Sequence, residues 1–274
     1  MAATEPIDII ELGVDDAQAG LALSTEAGWN QNEADWRFFL SKGAVFGLRD
    51  GDRLVASAAL LPYSAGNAWI SMVLVTTDFR RRGIATKLVD ACLDLATRRG
   101  LTSWLDATPA GAAVYGPLGF TPTLQLRRLR LQKPQGPTVT RPLSAGNLDA
   151  LAARDGSAMG FDRSTLLSEF SARPGSRIVS DDRAMALVRN GRTARHIGPL
   201  LADRADQALA LADAIVNSET GPWLIDAVHS QEEFLNGLVQ LGWNIERPFQ
   251  RMRFGRPTAP PAQLPFAVAG PEFG

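Results

Sequence analysis

Seven consecutive residues, Arg80-Arg81-Arg82-Gly83-Ile84-Ala85-Thr86, put three guanidinium groups and then small residues where a strand-like run gives way to a helical one. A turn of this kind aims free backbone N–H groups and the positive end of a helix dipole at one point in space, which is the chemistry of phosphate binding. Gly83 and Ala85 let the backbone approach anionic oxygens, while the arginines add charge-assisted hydrogen bonds. Arginine at a helix start has the wrong sign for the dipole, so a bound anion explains the three better than solvation of an ordinary loop does. Neither Gly-x-Gly-x-x-Gly after a strand nor Gly-x-x-x-x-Gly-Lys-Ser/Thr occurs, which removes the dehydrogenase and P-loop readings. A diphosphate cradle of another kind is expected over residues 80–86. Further along, Asp106 is an acid in an otherwise apolar strand and must be solvated, paired or functional.

The elements that position this loop can be read from periodicity. Residues 69–75 are nearly continuously apolar, as expected of a central strand buried on both faces. Residues 84–99 place Ile84, Leu88, Cys92, Leu95 and Ala96 on one helical face and stop at Gly100, a residue suited to the left-handed position after a helix. Upstream, residues 7–12 read as a first strand, 15–27 and 33–40 as helices, and 44–49 and 54–61 as antiparallel strands about the Asp50-Gly51-Asp52 hairpin signal. The helices flank a loop, Gly28-Trp29-Asn30-Gln31, that carries an aromatic ring and two amides. Cys92 is expected to be an inert core thiol, His196 a hydrogen-bonded packing residue, and Trp36 a core residue.

The same order of events recurs later in the chain. Trp104-Leu105-Asp106-Ala107, Leu118-Gly119-Phe120 and a strand from Leu126 to Leu131 are echoed by Trp223-Leu224-Ile225-Asp226-Ala227, Leu241-Gly242-Trp243 and a strand from Phe249 to Phe254. Three motifs in one order indicate an internal duplication at the scale of a domain. The change of texture at Gln132-Lys133-Pro134-Gln135-Gly136-Pro137 reads as the linker, which gives domains at 1–132 and 138–257 and a Pro-rich tail at 258–274. Arg127, Arg128 and Arg130 are interleaved with leucines and are expected on a solvated strand face.

The length of 274 residues suits two domains, and 45% hydrophobic with 21% charged residues excludes disordered and fibrous classes. Lys+Arg 28 against Asp+Glu 29, a net charge of -1, gives no global field for nucleic acid. One cysteine and two histidines exclude a disulfide scaffold and leave too few ligands for a structural zinc, so no metal is expected. No leader and no membrane-spanning run is visible, and a cytoplasmic protein without membrane partners is expected.

Residues 73–86 resemble the acetyl-CoA site of the GNAT N-acetyltransferase superfamily, whose Arg/Gln-x-x-Gly-x-Gly/Ala pattern is matched by Arg80, Gly83 and Ala85. Ala112-Ala113-Val114-Tyr115-Gly116-Pro117-Leu118-Gly119-Phe120 is similar to the same superfamily's second motif, a short helix with a tyrosine that ends in Gly-Phe. The resemblance implies an α/β (α+β) chain of two GNAT-like domains, each a central mixed, mostly antiparallel sheet flanked by helices. It also implies acetyl-CoA as cosubstrate. The main chain of Met72, Val73, Leu74 and Val75 would hold the pantetheine arm like an added strand, with Arg80, Arg81, Arg82, Gly83, Ile84, Ala85 and Thr86 around the diphosphate. Tyr115 would act as general acid toward the departing thiolate. Glu26, Asp106 or a water chain from either stand as alternatives for the base, with Asp106 the stronger. Trp29 and Asn30 lie where such proteins contact the acceptor amine, and Asp162 and Arg163 are expected to reach toward it. In the second copy Asp203-Arg204-Ala205-Asp206-Gln207-Ala208 stands in place of the arginine-glycine loop, so one cofactor site is expected, in the first half. The second half is left with shaping the pocket, stiffening the first domain or homodimerisation. An N-acetyltransferase acting on a primary amine is the first functional reading; a CoA or acyl-CoA binding module without turnover is the alternative.

Overall fold

The computed structural model describes residues 8–133, 143–181, 183–257, 261 and 263–274; most of the expected linker at 132–137 and the first residues of the expected tail lie outside the described residues. Two compact units form: Met1–Pro62 with Gly66–Trp104, and Tyr63–Ala65 with Leu105–Gly274.

The first unit contains β1 (Ile10–Leu12), α1 (Ala17–Glu26), α2 (Glu33–Lys42), β2 (Ala44–Asp50), nearly all of β3 (Arg53–Tyr63), β4 (Asn67–Val75), α3 (Ile84–Arg98) and the start of β5 (Thr102–Ala107). Its strands lie in the order β1-β2-β3-β4-β5. β2 pairs antiparallel with β1 and β3, and β4 pairs parallel with β5. Gly51 at the β2–β3 turn has φ 56, a left-handed conformation that glycine adopts without a Cβ penalty. The start of α2 is set by a reciprocal cap. The Asp35 N–H donates to the Asn32 side chain at 3.1 Å and the Asn32 N–H to the Asp35 carboxylate at 2.9 Å, an arrangement worth about 1 kcal/mol. Trp36 is fully buried and its indole N–H donates to Ser24 Oγ at 3.0 Å. A Cβ on Gly20 would come within 2.3 Å of that ring, so α1 and α2 pack closely because position 20 carries no side chain. On α3, Ile84, Leu88, Val89, Cys92, Leu93 and Ala96 are buried. Leu95, expected on that face, is half-buried, and Leu93 packs instead. Burial pushes the Cys92 thiol up, as an inert core thiol requires.

The second unit contains the rest of β5, α4 (Pro109–Tyr115), β6 (Thr121–Lys133), β7 (Ser144–Ala145), α5 (Leu148–Met159), α6 (Ser164–Ala172), β8 (Arg177–Asp181), β9 (Ala184–Asn190), β10 (Arg195–Ala202), α7 (Ala205–Ser218), β11 (Gly221–Val228), α8 (Glu232–Gln240) and β12 (Asn244–Phe254). Its strands run in the order β12-β6-β11-β10-β9-β8-β7. The core beneath them joins Ile197, Leu200, Ile225 and Trp223 of the sheet to Leu211 and Ile215 of α7 and Phe234 and Leu238 of α8.

The topology departs in one respect from two side-by-side domains. β6 belongs to the first half by sequence, yet it lies between β11 and β12 and pairs antiparallel with both, with Leu129 opposite Ile225 on one side and Ile245 on the other. The closing strands of the two halves are interleaved. The compact units part at Trp104, and fully buried Leu126 and Leu129 of β6 find their neighbours on strands of the second half. The expectation that Arg127, Arg128 and Arg130 share a solvated face also needs correction. Arg128 is buried and makes a two-pronged ion pair with Asp226, both contacts at 2.8 Å. Arg127 and Arg128 are consecutive on a strand in unbroken register with β11, so they point to opposite faces, and Asp226 stands directly across from Arg128.

Candidate functional site

β4 leads through a short 3-10 turn at Thr77–Phe79 into the arginine loop and then α3. The turn is tied to the end of α1. Thr77 N–H donates to Glu26 Oε1 at 3.0 Å, and the Thr76 hydroxyl lies 2.8 Å from both carboxylate oxygens. The Thr77 N–H first, and then the Thr76 hydroxyl, hold the Glu26 carboxyl below its ordinary range. Glu26 is therefore a poor base and a good anchor. Arg80 Nε donates to the Val75 carbonyl at 3.0 Å, and Arg82 donates to the Asp78 carbonyl at 2.8 Å with its guanidinium 4.8 Å above the Phe79 ring. Arg81 (φ 62) and Gly83 (φ 74) are both left-handed, and together they turn the chain into α3.

Gly83 is the N-cap of α3, with no side-chain cap and no acid in the first helical turn. The first helical bond runs from Lys87 N–H to the Gly83 carbonyl at 3.1 Å. The N–H groups of Ile84, Ala85 and Thr86 precede it and have no helical acceptor. Nothing lies within 4 Å of where a Cβ on Gly83 would sit. Phe79 is half-buried, Arg80 to Gly83 are exposed, Ile84 is buried and anchors the helix start, and Ala85 and Thr86 are half-buried. An anion of diphosphate size fits this donor set of three main-chain N–H groups beside three guanidinium groups.

On β4 itself, Met72 is a buried, non-glycine residue at φ 51, a conformation that costs about 1–3 kcal/mol. Its carbonyl accepts from the Ser57 hydroxyl at 2.8 Å, which helps to hold the kink. The ladder between β4 and β5 consists of Asn67 with Thr102, Ala68 with Ser103 and Trp69 with Trp104. The two indoles that close it stack 6.3 Å apart at 9°, and Trp104 Nε1 donates to Asn67 Oδ1 at 2.9 Å. Met72, Val73, Leu74 and Val75 lie beyond this ladder, on the stretch from the kink onward.

In the loop between α1 and α2, Trp29 is half-buried and Asn30 and Gln31 are buried. Gln31 Oε1 has no hydrogen-bond partner among the described residues. A buried amide oxygen in that condition is an acceptor awaiting a donor.

The other expected residues lie in the second unit. Tyr115 is the last residue of α4, whose start is capped by Thr108 accepting from the Gly111 N–H at 3.2 Å, and its ring packs 5.9 Å from Phe120. Asp106 is buried and receives two donors from Arg251, each at 2.8 Å. Burial pushes its carboxyl up and the Arg251 guanidinium offsets part of that. Asp162 accepts from the N–H of Ser164 at 3.0 Å and from its hydroxyl at 2.9 Å, steadying the start of α6. Arg163 is fully buried, forked onto Asp155 at 2.8 and 2.7 Å, and donates to the main-chain oxygens of Phe273 and Gly274. The expected reach of Asp162 and Arg163 toward an acceptor is thereby revised, because their polar atoms are committed to α6, α5 and residues 273–274. His196 is a buried packing residue with Nε2 2.9 Å from Asp226. Burial first, with Arg189, pushes it down to about 4, against the pull of Asp226.

Both halves of the chain match known protein families. Residues 15–120 match the acetyltransferase (GNAT) family and residues 152–265 match an acetyltransferase (GNAT) domain. The chain belongs to the GNAT acetyltransferase superfamily. It is 23% identical over 250 residues to the uncharacterized N-acetyltransferase YitH of Bacillus subtilis, covering 86% of this chain and 88% of that one. A crystal structure of a putative acetyltransferase from Pyrococcus horikoshii shares its fold at TM-score 0.82 and 19% identity, over 99% of this chain and 97% of that one. A tandem GNAT protein from the clavulanic acid biosynthesis pathway does so at TM-score 0.60 and 15% identity, over 92% and 100%. These two structural likenesses establish the fold alone. In this tandem GNAT chain the second copy begins its matching helix, α7, differently. Asp206 stands in the first turn, paired with Arg204 at 2.9 and 2.8 Å, and the Arg204 N–H donates to the Gln207 side chain at 3.2 Å. An acid at that point already answers the helix dipole that a phosphate would seek. The anchoring role of Glu26, the unpartnered Oε1 of Gln31 and the kink at Met72 carry no spacing signature, and each matters only through neighbours brought close by folding.

Proposed function

We propose that this protein transfers the acetyl group of acetyl-CoA to a primary amine of a small molecule, an amino acid derivative or a peptide. The observation that carries this reading is the start of α3: a left-handed glycine cap, three main-chain N–H groups without helical acceptors and three arginines, with no acid in the first helical turn. Acetyl-CoA supplies the activated acetyl group as a thioester. Ile84, Ala85 and Thr86 bind the diphosphate through main-chain N–H groups and Arg80, Arg81 and Arg82 neutralise it. The kinked main chain of Met72 to Val75 receives the extended arm as a strand would. Gln31 Oε1 accepts a hydrogen bond from the incoming amine, and Asn30 and Trp29 line its approach. The amine nitrogen forms its bond to the acyl carbon as the carbon–sulfur bond breaks. Tyr115 then donates its phenolic proton to the departing thiolate. Glu26 and Asp106 are both bound to partners, so the proton of the attacking amine leaves to water.

Calorimetric titration with acetyl-CoA, CoA and ATP, repeated on Gly83→Asp, tests the reading. Sub-millimolar binding of the two CoA ligands, lost in the variant, is expected and leads on to an amine screen by thiol release. Absence of CoA binding to the unaltered chain overturns it.

A further inference from the structure

The parallel ladder between β10 and β11 consists of Arg195 with Trp223, His196 with Leu224 and Ile197 with Ile225. Beyond it the two strands take another segment of the same chain between them. Ala267 bridges to Leu200 on one side and to Ala227 on the other. Leu200 N–H donates to the Ala267 carbonyl at 3.0 Å and Phe266 N–H to the Leu200 carbonyl at 2.9 Å. Across the gap, Val228 N–H donates to the Phe266 carbonyl and Val268 N–H to the Asp226 carbonyl, both at 3.0 Å. Residues 266–268 are thus an added strand. The chain continues through Gly270-Pro271-Glu272-Phe273 against two buried guanidinium groups. Arg189 donates to the Ala269 carbonyl at 2.9 Å, and Arg163 and the Tyr63 hydroxyl donate to the Phe273 main-chain oxygen at 3.0 and 2.8 Å. The Phe273 ring meets Phe170 edge-on at 4.8 Å, and Arg189 lies over both rings, 4.6 Å from Phe170 and 5.4 Å from Phe273. Gly198 completes the site, because a Cβ there would sit 2.0 Å from the Val268 carbonyl oxygen.

This is how a receptor holds an extended peptide: by main-chain bonds to strand edges, one small side chain at the crossing and one aromatic side chain in a cage. Burying two guanidinium groups is expensive unless they are fully paired, and here each spends donors on main-chain oxygens of this segment. We propose that the space between β10 and β11 is a binding site for an extended peptide with a small residue at the bridge and an aromatic one six residues on. Residues 264–274 fill it as a tethered ligand that leaves and re-enters without unfolding the strands around it. The site is independent of acetyl transfer.

The test uses the full chain with a specific protease site inserted after Arg256, where Gly255, Arg256 and Pro257 are exposed. After cleavage of the folded protein, the fragment is expected to remain bound and to exchange with an excess of labelled synthetic peptide of residues 257–274. The same peptide carrying Ala267→Trp and Phe273→Asp should enter roughly tenfold less or not at all. A fragment that falls away at once, or one that never exchanges short of unfolding, overturns the proposal. Hydrogen exchange on the uncut, unaltered chain gives a second reading. Amide protons of Leu200, Val228 and Val268 should exchange together, roughly tenfold faster than those of the β9–β10 ladder. Exchange of all of them at one common rate makes the segment ordinary core and sinks the idea. Gly198→Ala, at a position without a left-handed φ, should speed the same three amides and leave β9 unchanged; equal acceleration throughout counts against it.

Discussion

The two parallel strand pairs, β4 with β5 and β10 with β11, each carry a ladder of three residue pairs and each pass from their first strand into an amphipathic helix. Beyond the ladder the two copies diverge. In the first copy the helix starts at a left-handed glycine flanked by arginines, and the strand is kinked at Met72. In the second copy the helix start holds its own acid, Asp206, and the chain lays residues 266–268 between the strands. The same ladder thus leads to an open helix start in one copy and to a gap filled by the chain itself in the other. An apolar gap between strands has unpaired main-chain groups on both sides, and leaving them buried and unmatched costs more than supplying a strand from the same chain.

The filled site is most vulnerable at its floor. Asp226→Ala leaves Arg128 buried without its carboxylate, and the loss in denaturant unfolding should be about 3–5 kcal/mol, as is typical of a broken buried pair. A loss under about 1 kcal/mol would show that the cluster is not what supports β10 and β11. Next in size is the effect of pH. His196 titrates at about 4 in the folded protein against an ordinary 6.5, so between those values the unfolded chain takes up a proton that the folded one refuses. Stability is present in full above pH 6.5 and falls as pH drops toward and through 4, by about 3 kcal/mol. His196→Gln should flatten that window, and an unchanged slope in urea titrations would place the responsible group elsewhere.

The open site gives the next effects. Gly83→Asp combines a strained left-handed residue with charge repulsion and should weaken acetyl-CoA binding at least roughly 100-fold by calorimetry. The mirror experiment, Asp206→Gly, should create no second CoA site, because the space beyond the ladder is already taken. Tyr115→Phe should leave binding nearly intact and lower kcat about tenfold or more; undiminished turnover would return the ring to packing against Phe120. The smallest effect belongs to Glu26→Gln. It replaces a carboxylate acceptor at Thr76 and Thr77 by an amide, and a weakening of CoA binding of about threefold, with fold stability unchanged, is expected.

The helices, the β2–β3 hairpin and the central strand were legible because each rests on local periodicity or a turn residue, as Gly51 and the α3 face show. The arginine loop and the glycine-capped start of α3 were legible for the same reason, since their residues are consecutive in the chain. What stayed hidden depends on partners far apart in sequence. Arg128 reads as a surface arginine until Asp226 is placed opposite it. Arg163 reads as a substrate contact until Asp155 and residues 273–274 surround it. Residues 258–274 read as a tail because proline and glycine dominate the pattern, yet the buried Phe266, Val268 and Phe273 belong to a gap that only the folded strands define.

The interleaving of β6 with β11 and β12 has a consequence for how the chain is made. β6 is complete once residue 133 has been synthesised, but both of its neighbours are encoded between residues 221 and 254. At about 5–20 residues per second, translation of that interval takes on the order of ten seconds. For that time the first half has a finished closing strand without its two partner strands, and Leu126 and Leu129, one on each of its faces, lack the cores they later join. Until β11 and β12 arrive, both edges of β6 carry unpaired main-chain donors and acceptors, the condition in which a strand is most open to wrong pairing.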